Sequence, residues 1–167
     1  MLVYNPAFDI YHTVLRILKL ESKLKGEIEI ERIRIYDFFY LFPSKLRLMR
    51  LPREATSLRK LLPEDNNPYS QIADSKKLFE KMMPFQVAAI KTIVSLGFFE
   101  KEAFSLGKIK RTNSDYPPEL KKLINEIDTD RRNALIIISQ YLDKITLYGL
   151  NGLKSRSSLI EYRYDPK

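Results

Sequence analysis

The chain has 167 residues, a hydrophobic fraction of 44%, a charged fraction of 30% and a net charge of +8, values expected of one soluble domain or of a small domain with an extension. The absence of cysteine excludes disulfides and thiolate metal sites and is compatible with a reducing cytoplasm. No apolar run approaches the roughly 18 residues of a membrane span, and MLVYNPAFDIYH lacks the basic lead and apolar run of a signal peptide.

The positive balance favours anionic partners, nucleic acid first, but lysines that merely solvate the surface would produce it equally well. In the first segment Asn5 is placed to cap a helix, Pro6 suits its first turn, and Asp9 favours the positive end of the dipole. Phe8, Tyr11, Leu15 and Leu18 form an apolar stripe that Ile10, Val14 and Ile17 broaden, and Gly26 is the expected stop.

The next phrase, GEIEIERIRIYDFFYLFP, begins like a strand and ends as an apolar block. Its apolar parity slips between Ile30 and Ile33, which would throw a strand's pattern onto the opposite face. A helix tolerates the slip and pairs Glu29 with Arg32 and Glu31 with Arg34. The spacing therefore predicts a helix from about Ile30 to Phe42, buried on two sides and stopping before Pro43. One or two short helices follow over 44–62, and PEDNNPYS reads as a loop.

From Asp74, DSKKLFEKMM reads as a short helix and PFQVAAIKTIVSLG as a second, with Pro84 opening it and Gly97 ending it. Two helices joined so tightly form a helix-turn-helix. The alternation Lys108-Ile109-Lys110 followed by Arg111 then reads as a basic β-wing. Pro118 opens another helix, DTD caps RRNALIIISQYLDKITLYG up to Gly149, and Leu159 to Tyr164 reads as a terminal strand. The expected fold is mainly α and winged-helix-like, with helical extensions at both ends. It is a single domain over 1–167: an N-terminal helix in 1–26, the winged-helix-like core in 27–114, and C-terminal helices with a strand in 115–167.

Residue-level traces of catalysis are few. His12 sits in an amphipathic helix, helix capping explains Asp128 and Asp130, and the serines of SRSS have no base beside them in sequence. No phosphate-cradling loop, dinucleotide fingerprint or His/Cys ligand spacing occurs, so no catalytic, cofactor or metal residues are assigned. Nucleic-acid contact is the stronger expectation. The second helix of the helix-turn-helix offers Gln86, Lys91, Thr92 and Ser95 against a dominant apolar content, which is thin for reading bases. Lys108, Lys110 and Arg111 on the wing, with Arg47, Arg50 and Arg53 upstream, suit DNA-backbone contact, against the plainer reading of solvated faces. The helices around Phe8, Ile30 and Ala134 carry so much apolar surface that a partner protein is expected to cover some of it, unless one compact core uses it all.

Two phrases carry a family likeness. YNPAFDIYHTVLRILKL with IERIRIYDFFYLFPSKLRLMRLP, and the closing GLKSRSSLIEYRYD, resemble the middle components of three-component ABC-ATPase defence systems, which include Lamassu-type anti-phage modules. The resemblance spans nearly the whole chain and implies a small non-catalytic partner of an SMC- or Rad50-like ATPase. In such a system the ATPase senses foreign DNA, and an effector, commonly a nuclease, is held inactive until then. Arg156, Glu161 and Arg163 in the closing phrase are candidates for the partner interface, although Arg163 and Glu161 pairing across a strand would explain them structurally.

The expected function is thus a cytoplasmic adaptor that couples ATPase sensing to effector release, binding protein mainly and double-stranded DNA secondarily. The alternative is a free-standing winged-helix transcription regulator acting as a dimer on paired half-sites.

Overall fold

The computed structural model describes residues 4–65 and 72–165, with backbone alone at 72 and 73. The loop expected over 63–70 lies outside the described residues from 66 onward. The chain is mainly helical and divides into two compact units. Unit 1 comprises Met1–Asp37 and Met82–Ile127, and unit 2 comprises Phe38–Lys81 and Asp128–Lys167.

In unit 1 the chain enters through a 3-10 turn, Pro6–Phe8, capped by Asn5 through the Ala7 amide. Asp9 then caps the helix proper, α1 (Ile10–Glu21), accepting from the His12 amide at 2.8 Å. One helix start in the sequence is therefore two in space, because each capping side chain satisfies its own free N–H. The buried face of α1 also differs from the expected stripe. Ile17, Leu18 and Leu20 are buried with Thr13 and Arg16, while Ile10 and Tyr11 are exposed.

The polar pair is buried because it belongs to a network. Arg16 Nε donates to Asp37 Oδ1 at 2.6 Å and Nη2 to Oδ2 at 3.2 Å, while Nη1 and Nη2 also reach the Pro6 carbonyl and Thr13 Oγ1. Gln86 Nε2 donates to Asp37 Oδ2 at 2.9 Å and to the Arg34 carbonyl at 3.1 Å, and Arg34 Nε returns a bond to Gln86 Oε1 at 3.0 Å. Burial pushes the Arg34 guanidinium pKa down, against the pull of Glu31 and Asp37.

The phrase at 26–43 satisfies both of its halves. Ile28–Glu29 is a short strand, β1, and Ile30–Leu41 is a helix, α2, with every residue from 32 to 40 buried. The next helix, α3 (Ile72–Ser95), corrects the helix-turn-helix, since it runs unbroken through Pro84. Proline removes an N–H and leaves the carbonyl four residues upstream without its helical partner. Here that carbonyl belongs to Glu80, and Glu80 and Pro84 are both exposed, on a face of the helix where water is at hand to bond a freed carbonyl. The real stop is Gly97, at φ 83°, where Phe98 N donates to Ile93 O and Gly97 N to Val94 O.

A short helix, α4 (Lys101–Ser105), leads to β2 (Lys108–Ile109), which pairs antiparallel with β1 as Ile28↔Ile109 and Glu29↔Lys108. On its other side the chain bridges Phe99↔Arg111, with Glu100 N donating to Lys110 O and Thr112 N to Phe98 O. Residues 108–112 are thus central between 28–29 and 98–100. Helix α5 (Pro118–Asn125) packs against α1 and completes the unit.

Unit 2 is built on the aromatic end of α2. Phe38, Phe39 and Tyr40 are buried, and Phe38 meets Phe79 edge-on at 5.9 Å between ring centroids. Two 3-10 helices, Pro43–Leu48 and Arg53–Leu61, lie against α6 (Thr129–Gln140), whose Ala134, Leu135, Ile137 and Ile138 face inward. Helix α6 ends at Gln140 and not at Gly149; a 3-10 turn, Leu142–Lys144, and further turns intervene before α7 (Leu153–Ser157). The strand expected from Leu159 to Tyr164 is absent. Ser158 adopts the left-handed conformation at φ 59°, and turns follow it.

If the helix is continuous through Pro84, Pro84→Ala restores a helical hydrogen bond at an exposed site. Urea unfolding should then show a gain of about 1–2 kcal/mol, the helix-interior penalty of proline less its unfolded-state benefit. A loss of stability would mark a break at that residue.

Candidate interaction surfaces

Unit 1 carries the basic alternation that the sequence offered as a wing. Lys108 and Lys110 lie about half exposed on the central strand, but each faces an acid: Lys108 Nζ is 3.2 Å from Glu27, and Lys110 Nζ is 3.4 Å from Glu100. Arg111 is committed further. Its guanidinium sits 4.0 Å over the Tyr116 ring, donating to the Phe98 and Ser114 carbonyls at 2.8 Å each. It holds the segment that follows β2, and both of its terminal nitrogens donate to backbone carbonyls.

Glu21, at the end of α1, shares the electrostatic neighbourhood of Arg111 and Tyr116. Burial pushes its carboxyl up to about 7 against the pull of Arg111, and burial with the charge of Glu21 pushes Tyr116 up to about 12. Of the residues considered for base reading, Gln86 is fully buried in the Asp37 network and presents nothing to a groove. Lys91, Thr92 and Ser95 are exposed, and Thr92 Oγ1 donates back to the Ala88 carbonyl. Leu96, next in the chain to Ser95, and Leu106, just after α4, stand out to solvent at 60% and 77% exposure.

In unit 2 the expected basic stretch is largely structural. Arg47 donates to the Leu62 carbonyl at 3.0 Å, and Arg50 donates to the Leu150 carbonyl at 2.7 Å and to Ser155 Oγ at 3.2 Å. Arg53 is exposed at the start of its 3-10 helix. Arg156 reaches the Asn151 carbonyl at 2.7 Å and the Arg50 carbonyl at 3.1 Å, while the Arg50 amide donates to the Arg156 carbonyl. Arg50 and Arg156 thereby clasp one another's backbone across 106 residues of sequence.

The closing phrase is shaped by close approach. A Cβ on Gly152 would stand 2.1 Å from the Tyr148 carbonyl oxygen, so only glycine fits there. Lys154, buried, pairs with Asp165 at 2.9 Å and lies over the Tyr148 ring. Glu161 and Arg163 do pair, at 3.9 Å, but on a turn and not across a strand. Glu161 Oε1 also accepts from the Tyr162 and Arg163 amides at 3.0 Å each.

Together with Lys76, Lys154, Ser155, Ser158, Ile160 and Tyr162, these two residues line a cleft of about 160 Å³. Lys76 and Lys154 escaped the sequence reading. Lys76 arrives from α3, and no local pattern links it to the closing phrase. Among the described residues no group of three or more His, Cys, Asp or Glu side chains is placed to hold a metal ion. Nor is any helix there long and apolar enough to cross a membrane. His12 lies on the outer face of α1, bonded to Asp9 and Tyr4.

The family model described as ABC-three component (ABC-3C) system Middle Component 5 matches residues 2–165. Neither a curated protein nor a solved structure matches the chain.

The raised carboxyl of Glu21 has a consequence for stability. A folded state that binds its proton near pH 7, where the unfolded chain binds it near 4.5, is most stable below that window. Stability should therefore fall as pH rises through it, and Glu21→Gln should remove that part of the slope. Urea midpoints at about pH 5 and about pH 8 test this. Equal slopes in parent and variant would refute it.

Proposed function

The chain belongs to the ABC-three component system Middle Component 5 family, and from that membership we propose that it is the non-catalytic adaptor of an anti-phage complex. As a middle component it is an accessory subunit alongside an ABC ATPase. The ATPase is of the SMC or Rad50 type, and the third component is an effector such as a nuclease. Rearrangement of the ATPase on foreign DNA is passed through this subunit to release the effector.

The observation that carries the protein-first reading is the state of the basic side chains. Lys108 and Lys110 each face a carboxylate, and Arg47, Arg50, Arg111 and Arg156 spend donors on backbone carbonyls. Such residues offer limited charge to a phosphate backbone, so DNA contact is secondary. Burial of Gln86 weighs against the transcription-regulator alternative, because it removes the one amide placed to read a base.

The topology of unit 1 supports a winged helix, assembled differently from the sequence expectation. Its helices are α1, the first half of α2 and the second half of α3. Its strands are 28–29, 98–100 and 108–112, with the last in the centre and α4 in the connection that forms the wing. Residues 38–81 of unit 2 fall between the second and third helices in the chain, and residues 128–167 follow unit 1. A winged helix whose wing connection carries the exposed Leu106 suits a protein surface.

Co-expression with the ABC ATPase of the same three-component system should give a stable complex that survives size-exclusion chromatography. Leu96→Asp with Leu106→Asp should weaken that complex about tenfold or more, with the melting temperature of the chain unchanged. Lys108→Glu with Lys110→Glu should lower DNA retention by the complex modestly and reduce its salt dependence by about one or two phosphate contacts. A chain that runs alone, as a dimer that selects one DNA sequence, would overturn the adaptor reading.

A further inference from the structure

The cleft in unit 2 carries a more specific inference. Its lining holds three cations, Lys76, Lys154 and Arg163, against one carboxylate, Glu161. Two of the four charges are largely occupied. Lys154 is engaged with Asp165 at 2.9 Å, and one oxygen of Glu161 is held by two backbone amides. Arg163 is different. Its Nε lies 3.9 Å from Glu161, beyond hydrogen-bond reach, and its side chain is 77% exposed. A planar guanidinium held so loosely keeps its paired donors for another carboxylate. Lys76 is exposed on the facing helix, and Ser155 and Ser158 add hydroxyls to the lining.

Size and lining narrow the ligand. About 160 Å³ is well below the roughly 300–1,000 Å³ of pockets that enclose a drug-sized molecule or nucleotide. It admits one anionic group and little more. A nucleic-acid backbone presents a negative charge every ~1.7 Å of duplex and calls for a run of cations, whereas here Glu161 interrupts the wall. Ile160 and Tyr162 supply apolar surface within the same lining, and Tyr164, next in the chain to Arg163, is 91% exposed.

We propose that this cleft receives an aspartate or glutamate side chain of a partner protein, with an apolar neighbour of that residue resting on Ile160 and Tyr162. The inference rests on the adaptor reading and names the chemistry of one of its contacts. Arg163 and Lys76 clamp the carboxylate, the serine hydroxyls complete its hydrogen bonding, and Glu161 selects against a second negative charge close behind it.

The test is a titration of the isotope-labelled full chain followed by amide chemical shifts, with three probes: a capped peptide Glu-Leu-Glu-Glu-Leu-Glu, inorganic phosphate and a short DNA duplex. The peptide should shift the signals of Lys76 and of residues 154–163 saturably. Lys76→Glu with Arg163→Glu should weaken peptide binding by about tenfold or more, while the charge-matched Lys121→Glu with Lys122→Glu, on the exposed face of α5, should retain the parent affinity. Equal losses in both variants would reduce the effect to net charge and overturn the site. So would the absence of shifts at the cleft, or phosphate or duplex occupying it as tightly as the peptide. If the titration fails while the ATPase complex still forms, the cleft falls and the adaptor stands.

Discussion

The Asp37 carboxylate is the fixed point of unit 1. It is fully buried, and its two oxygens take the Arg16 guanidinium from α1 and the Gln86 amide from α3, while Asp37 itself rides on α2. Burying a charge costs several kcal/mol unless it is paired and its remaining lone pairs are satisfied. Here both conditions are met, and Arg34 closes the ring through Gln86. Apolar packing tolerates small slides of one helix on another, whereas a fork of charged hydrogen bonds does not. The three helices are thereby held in one register, and the second half of α3 delivers the chain to Gly97 and the strand pairing beyond it from a defined position.

The same network decides which side chains remain for partners. Gln86, drawn inward, cannot read a base, and Arg111, clasped by the Phe98 and Ser114 carbonyls, cannot serve as a free phosphate clamp. The apolar wealth of the sequence is also largely spent within the chain. The run from 32 to 40 is wholly buried, and the inner face of α6 is closed. Among the described residues, what stays in water lies mostly in turns and at element ends, such as Ile10 and Tyr11, Leu48 and Leu61, Leu96 and Leu106, and Tyr148 and Leu150, with Met83 inside α3 the exception. Exposed apolar residues at element ends fit edge-wise docking better than one broad hydrophobic face.

How much of this was legible in the sequence follows from the range of the forces involved. The parity slip at Ile30–Ile33 identified α2, because periodicity is local, and the alternation at Lys108–Lys110 identified the short strand β2 for the same reason. The family likeness in the opening and closing phrases was legible too, and the family match bears it out. Pro84 misled, since a proline on an exposed helix face can be accommodated without ending the helix. Gly149 misled because its positive φ serves a turn, well after α6 has ended. The fates of Arg50 and Arg156 were beyond reach, because each is settled by a backbone carbonyl distant in sequence. The cleft was equally hidden, since Lys76 and Arg163 come from the two separate chain segments of unit 2.

A double-mutant cycle on Arg16 and Asp37 tests the central claim most directly. With Arg16→Met, Asp37→Leu and both together, each single change should cost about 3–5 kcal/mol in urea unfolding, because it leaves the other charge buried alone. The double variant should cost far less than the sum, giving a coupling of several kcal/mol. Additive losses, with a coupling below about 0.5 kcal/mol, would show that the pair does not hold the helices and that apolar packing alone sets their register.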